Sequence, residues 1–286
     1  MQATFLPTGY FKLDGGAMFG VVPKTLWSRL NPPDDNNLCT WAMRCLLIET
    51  GNRKIVVDTG IGNKQDERFR SHFHPHGEDS LLGSLAAHGL QPEEITDVLL
   101  THLHFDHVGG AVKYNVQGEP VPTFPNATYW SNEVHWNWAM NPNPREKASF
   151  LKENFVPLQK QGQLKFLDVQ KEDLPWLEGI RIRYAYGHTE AMMMPIITNA
   201  GQTMIYAADL LPASYHIRMP YVMAYDIRPL TTMEEKAKLL TDVEAEDWLL
   251  AFEHDPRMGA TYLTKDAKGR IVAGEEAGLE RFNKGG

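Results

Sequence analysis

Cysteine is nearly absent from this chain. Only Cys39 and Cys45 occur in 286 residues, too few for a disulfide framework and too few for a cysteine zinc site, which needs four ligands. They are expected as reduced core thiols. No apolar run approaches the length of a membrane span. Met1–Thr8 lacks the basic start and long apolar stretch of a secretory signal. The expectation is a cytoplasmic protein with no membrane partner. Basic residues never cluster and the net charge is −8, which speaks against a nucleic-acid partner. No Gly-x-Ser-x-Gly segment supplies a serine nucleophile, and no repeat of solenoid period is visible.

What is present is an ordinary globular composition, 43% hydrophobic and 22% charged, read as one domain over residues 1–286. One stretch departs from the ordinary: Thr101-His102-Leu103-His104-Phe105-Asp106-His107-Val108-Gly109-Gly110. The preceding Ile95–Leu100 is apolar and β-branched enough to be a buried strand. Residues two apart on an extended segment share a side, so His102 and His104 can bind one metal ion, and Asp106 and His107 face a second once the chain turns. Imidazole with carboxylate suits zinc, with iron, manganese or cobalt as alternatives. Gly109 and Gly110 are expected to let the backbone turn tightly.

The pattern recurs. Strand-like Gly179–Tyr186 runs into His188, Thr203–Ala208 into Asp209, and Trp248–Glu253 into His254. Ligand sites in layered α/β proteins gather at one end of the strands, so four apolar strands ending in metal-ligand chemistry suggest one shared site. The remaining elements read as a strand and loop over residues 1–30 with a turn at Asp14-Gly15-Gly16, and a hairpin of Trp41–Glu49 and Lys54–Asp58. A helix follows from Ser80 to Gly89. A short strand at Ala127–Trp130 leads to helices at Asn132–Met140 and Glu146–Val156, then a strand at Leu164–Leu167. Beyond lie a helix at Met233–Ala245 and a tail of one short strand and helix that frays at Gly285–Gly286. Gly62–Asp79 reads as an irregular polar loop, a candidate lid; Pro75 argues against a metal site at His72, His74 and His76.

His-x-His-x-Asp-His after an apolar strand resembles the metallo-β-lactamase fold superfamily. Leu13–Lys24 is similar to the N-terminal segment of its lactonase and organophosphate-hydrolase branch, which includes acyl-homoserine lactonases and methyl parathion hydrolase. The resemblance runs from about Leu13 to His254. It implies an α/β (α+β) four-layer αββα sandwich, with the helical segment at about 131–160 as an insertion. It further implies a dinuclear centre in which His102, His104 and His188 hold one ion, Asp106, His107 and His254 the other, and Asp209 bridges them. Asp58, of Asp58-Thr59-Gly60, would support the site from behind by orienting a ligand histidine. The family often has Gly-His-Thr-Pro-Gly-His where this chain has Gly187-His188-Thr189-Glu190-Ala191-Met192.

The activity implied is metal-dependent hydrolysis, in which a hydroxide bridging two divalent ions, zinc first, opens a lactone or small ester. Asp106 would take or relay a proton. An N-acyl-homoserine lactone is the first substrate choice, a phosphotriester or aryl ester the alternative; an iron-dependent oxidoreductase, a nuclease or a binding-only protein ranks lower. His216 is a candidate to hydrogen-bond a substrate oxygen or developing oxyanion, or a loop histidine without a role. Met18, Phe19, Trp136, Trp138 and Tyr221 are candidate substrate-binding residues, with plain packing the competing reading. His135 is read as a surface or pocket residue. The expected partners are a small-molecule substrate and a second copy in a homodimer.

Overall fold

Alternating and continuous apolar runs become strands, as their side-chain period dictates. The strands are β1 (Gln2–Asp14), β2 (Leu38–Thr50), β3 (Arg53–Val57), β4 (Asp97–Leu99), β5 (Val112–Tyr114), β6 (Pro120–Pro122), β7 (Thr128–Asn132), β8 (Leu164–Leu167), β9 (Leu174–Leu177), β10 (Ile180–Ala185), β11 (Met192–Asn199), β12 (Gln202–Tyr206), β13 (Leu249–Ala251), β14 (Ala260–Lys265) and β15 (Ile271–Glu276). The α-helices are α1 (Gly15–Phe19), α2 (Lys24–Trp27), α3 (Glu67–Phe73), α4 (Leu81–Ala87), α5 (Phe105–Val108), α6 (Glu133–Met140), α7 (Val156–Lys160), α8 (Pro229–Ala245) and α9 (Glu280–Lys284). This computed structural model describes residues 1–284; the fraying expected at Gly285–Gly286 lies outside them. No helix among the described residues is long and apolar enough to cross a membrane.

The chain divides into two compact units. Unit 1 comprises Met1–Gly9 and Met43–Val169; unit 2 comprises Tyr10–Ala42 and the chain from Gln170 onward. Strands β1 and β2 are each shared between them. One sheet has the order β1-β2-β3-β4-β7-β8, another β15-β14-β13-β12-β11-β10-β9, and β5 with β6 forms a ribbon.

In unit 1 the β2–β3 hairpin forms as its alternation predicts, and β3, β4 and β7 run parallel, with Val57 beside Leu99. Leu47, Val56, Val98, Leu103, Val108 and Tyr129 belong to one buried cluster. The loop that carries the histidines is therefore anchored through its own apolar residues, Leu103 and Val108. In unit 2, β12 and β13 are parallel neighbours in register, Tyr206 beside Ala251. β10 and β11 are antiparallel, as are β11 and β12. Strands β10, β12 and β13 thus point the same way and present their C-terminal ends at one edge.

Several expectations need correction. Gly62–Asp79 contains a helix, α3, whose N-cap Asp66 accepts from the Phe69 N–H at 2.7 Å and which ends at left-handed His74. Its only apolar pair, Phe69 and Phe73, gave too weak a periodic signal. Glu146–Val156 is not a helix but a turn followed by the 3-10 helix Lys152–Asn154. There the Asn143 side chain accepts the N–H groups of Arg145 and Glu146, an Asx turn that competes with helix formation. Asp14-Gly15-Gly16 is a helix start, with Asp14 capping α1. The tail holds two paired strands, β14 and β15, before α9. Gly109 takes an ordinary helical φ of −59°. It is glycine because a Cβ there would lie 2.1 Å from the Ile61 carbonyl oxygen, and at Gly110 2.2 Å from that of Thr59. Close approach, not turning freedom, is the reason.

Candidate metal centre

Each ligand candidate that begins a set follows a strand by the same interval. His102, His188, Asp209 and His254 each lie three residues beyond the last residue of β4, β10, β12 and β13. Three residues is enough chain to leave the sheet and turn a side chain across its edge.

In unit 1 the rings of His102 and His104 stand 4.5 Å apart between centroids, and those of His102 and His107 3.9 Å. Asp106 Oδ2 lies 3.8 Å from His107 Nε2. All four side chains are buried. Asp58 sits behind them. Its carboxylate accepts the Thr101 N–H at 2.7 Å, the Thr101 hydroxyl at 2.6 Å and His107 Nδ1 at 3.0 Å. Since the Thr101 hydroxyl gives its proton to Asp58, it receives one from His102 Nδ1 at 3.0 Å. Both rings therefore carry their proton on Nδ1, and each Nε2 presents a lone pair. Asp58 itself adopts φ +57°, a left-handed conformation that costs an L-residue about 1–2 kcal/mol. Such strain persists where the surroundings over-determine it. The Thr59 N–H and hydroxyl both donate to the His107 carbonyl, at 2.7 and 2.8 Å, and the Gly110 N–H donates to the Gly60 carbonyl at 2.9 Å. The Asp58 loop and the histidine loop are thus laced together.

In unit 2 the centre of the arrangement is Asp209. One oxygen lies 3.2 Å from His188 Nε2 and the other 3.2 Å from His254 Nε2. His254 Nδ1 lies 2.7 Å from the Ala42 carbonyl oxygen. A carbonyl can only accept, so Nδ1 is the protonated nitrogen. His188 Nδ1 is held the same way by the buried carboxylate of Asp226, at 2.8 Å. Two imidazole lone pairs then face two carboxylate oxygens in a buried space. Acceptors facing acceptors repel unless a cation lies among them or the rings take up a second proton. This donor set fits a divalent metal ion. Ala208, next to Asp209, is also left-handed at φ +44°.

The other predicted residues have less chemical placements. Met18 and Phe19 are buried on α1, where the Met18 carbonyl oxygen lies 2.9 Å from His216 Nε2. The Phe19 ring stacks on His216 at 5.4 Å and on Trp27 at 5.2 Å. His216 is fully buried, and desolvation lowers its pKa to about 4. The neutral ring has one proton, on Nε2, and gives it to Met18. It has none left for an oxyanion, so the donor role expected of His216 is not supported. Trp136 is buried against Phe155 and Phe166. Trp138 is partly buried and donates its indole N–H to Glu146 at 2.8 Å. Tyr221 lines a cavity of about 870 Å³ with Arg218, Met219, Leu240 and Ile271. Cys39 and Cys45 are buried and form no disulfide, as expected.

Four residues were missed or misread. Asp226 gives no signal in sequence, since only the fold brings it to His188. His135, expected at a surface or pocket, is fully buried, and its Nε2 accepts the Leu103 N–H at 2.9 Å. Glu146 is buried with one oxygen 3.6 Å from His104 Nε2. Phe105, inside the motif, meets Phe69 and Phe73 of α3 at ring-centroid distances of 5.1 and 4.4 Å.

The sequence model of the Metallo-beta-lactamase superfamily matches residues 44–254. The N-acyl homoserine lactonase AiiA of Bacillus thuringiensis subsp. kurstaki is 22% identical over 264 residues, 88% of this chain and 92% of that protein. Among solved structures, a probable metal-dependent hydrolase from Staphylococcus aureus superimposes with a TM-score of 0.85 at 27% identity, covering 97% of this chain and 98% of that one. AidC, a dizinc quorum-quenching lactonase, gives 0.78 at 21% identity over 97% of this chain and 95% of its own. The mixed α/β fold with several sheets is that of these proteins.

Proposed function

The chain belongs to the metallo-beta-lactamase superfamily, and from that premise we propose that it is a metal-dependent hydrolase of small lactones, acting on an N-acyl homoserine lactone. The observation that carries the reading is Asp209, with one oxygen turned to the Nε2 of each of two histidines whose Nδ1 protons are already committed. That is the disposition a carboxylate shared by two cations requires. The lactone as substrate is supported by the relatives named N-acyl homoserine lactonases.

In this reading both units serve one hydrolase domain. His102, His104 and His188 would hold one divalent ion and Asp106, His107 and His254 another, Asp209 would serve both sets, and zinc is the first choice. Such ions, when bound, supply Lewis acidity and make water acidic enough to attack near neutral pH. The chain does the rest. Asp58 fixes the His107 ring and, through Thr101, the His102 ring. Asp226 and the Ala42 carbonyl fix His188 and His254. Asp106 takes the proton released as water attacks and returns it to the leaving alcohol. The Phe69–Phe73–Phe105 rings, beside the histidine loop, are assigned to the apolar acyl chain.

The test is ring opening of N-acyl homoserine lactones of short, medium and long acyl chain by zinc-loaded protein, followed by proton release, with Asp209→Ala as control. Turnover that the control abolishes is expected, rising with chain length if the phenylalanines bind the acyl group. Turnover of aryl esters or phosphotriesters alone would overturn the lactone assignment and keep the hydrolase. Full activity in Asp209→Ala would overturn the role of Asp209.

A further inference from the structure

We propose that the segment Asp226–Glu235, which enters α8, is a cradle that sets the turn carrying His188, and that Arg228 and Glu235 within it are positioning residues for His188. The inference rests on the reading of His188 as a metal ligand, and it goes beyond the contact of Asp226 with the His188 ring.

Among the candidates in unit 2, His188 is the one that strand register does not deliver. Asp209 and His254 follow β12 and β13, which are parallel neighbours. His188 follows β10, which β11 separates from β12. The turn itself, residues 186–190, is neither helix nor strand, so no regular hydrogen-bond ladder of its own fixes the ring.

Its main chain is held from outside instead, by one short stretch of sequence. The Tyr186 N–H donates to Glu235 Oε1 at 2.7 Å and the Gly187 N–H to Glu235 Oε2 at 3.0 Å. The Tyr186 carbonyl accepts from Arg228 Nη1 at 2.7 Å. The Gly187 carbonyl accepts the Arg228 N–H at 2.9 Å, and the His188 carbonyl the Ile227 N–H at 3.2 Å. Past the histidine, Arg228 Nη2 donates to Glu190 at 2.6 Å. The turn is thus gripped before, at and after His188 by residues of the same segment that brings Asp226 to its ring.

Two features make these contacts hard to replace. The first is distance. A Cβ at Gly187 would lie 2.2 Å from Thr232 Oγ1 and 2.4 Å from the Thr232 backbone nitrogen, so the turn lies against the first turn of α8 as only glycine allows. The second is the chemistry of the two holders. A carboxylate offers two acceptors side by side, one for each of two successive N–H groups. Glutamine offers one and sets an NH₂ against the other N–H, which is then left without an acceptor. A guanidinium forks to the Tyr186 carbonyl and Glu190 at once, which an ammonium on a flexible stem does not reproduce. A metal-binding imidazole depends on outer contacts that fix its orientation, and their loss typically weakens metal binding.

The experiment measures zinc and cobalt affinity by chelator competition in full-length wild type, Glu235→Gln, Arg228→Lys and Glu234→Gln, the last at an exposed position of the same helix. Urea midpoints of the metal-free proteins, visible spectra of the cobalt forms and backbone hydrogen exchange at Tyr186 and Gly187 are recorded alongside. Glu235→Gln is expected to bind about 10-fold more weakly, with a shifted cobalt spectrum and faster exchange at Tyr186 or Gly187. Arg228→Lys moves the same way by less, and Glu234→Gln matches wild type. A lowered urea midpoint with affinity and spectrum unchanged in Glu235→Gln and Arg228→Lys would overturn the proposal, leaving the two residues as braces of the fold alone. An equal loss of affinity in Glu234→Gln would overturn it too, since charge on α8 and not the contacts would be the cause. If Glu235→Gln does not fold, Arg228→Lys decides by the same readouts. Wild type that binds neither cation would instead overturn the reading of His188 as a ligand, and the proposal with it.

Discussion

The two units assemble their candidate ligand sets by opposite routes. Unit 1 carries His102, His104, Asp106 and His107 on one loop after one short strand, braced from several sides by Asp58, Thr101 and His135. Unit 2 gathers His188, Asp209 and His254 from the ends of three strands, braced by Asp226 and the Ala42 carbonyl. In the first, local chain geometry does the assembling, and the bracing corrects for a loop's freedom. In the second, the sheet does it. Parallel β12 and β13 in register bring Asp209 and His254 side by side because each follows its strand by the same interval. A loop needs many outer contacts to be precise; a sheet edge needs few.

The largest effect that tests this contrast is metal content. Asp209→Ala should lose both cations and fall to background activity, whereas Asp106→Ala should retain about one cation per chain by elemental analysis. Two cations retained by Asp209→Ala would break the contrast at its centre.

The next is acid stability. Desolvation lowers the His216 pKa from 6.5 to about 4, so the unfolded chain binds a proton there that the folded chain refuses. Its contribution is complete above pH 6.5 and is lost as pH falls from 6.5 towards 4, about 3 kcal/mol over the whole window. Urea midpoints of wild type and His216→Gln at pH 7 and 5 measure it: the variant should show the shallower acid dependence.

Asp58→Asn and Asp226→Asn compare the bracing directly. Each should weaken metal binding by about 10- to 100-fold, and Asp58→Asn by more, since it disturbs Thr101 and His107 together while Asp226 serves one ring. Equal losses would mean that the loop needs no more bracing than the sheet edge. The smallest effect is steric. Gly109→Ala should destabilise by about 1–3 kcal/mol because the backbone of Ile61 cannot retreat, while Gly118→Ala, with nothing near its Cβ, pays only for its positive φ.

What could be read in advance follows the same division. The unit 1 ligand candidates stood out as a motif because they are contiguous, and those of unit 2 because each follows an apolar strand. The family fold followed from both. Of the bracing groups only Asp58 was legible, through the Asp58-Thr59-Gly60 resemblance; the others were not. Asp226 and His135 lie 38 and 32 residues from His188 and Leu103, the residues they touch; nothing in local pattern marks such a pairing. Helix α3 was hidden because it buries no residue fully and so lacks an apolar stripe. The glycines after the motif were assigned correctly as special but for the wrong cause, since a clash with distant backbone leaves no trace in a local reading.

The division of the chain into units also bears on its biosynthesis. Unit 2 takes its first segment, Tyr10–Ala42, from before the larger part of unit 1, Met43–Val169, is made and the rest from after it. Phe11, Phe19, Trp27 and Trp41, all buried when folded, emerge early and must wait while the intervening chain and then their partners are translated. At typical rates of about 5–20 residues per second that delay is on the order of ten seconds or more. Throughout it, a run of large aromatic side chains stands on the nascent chain without its core, which marks this segment as the point where chaperones would be expected to engage.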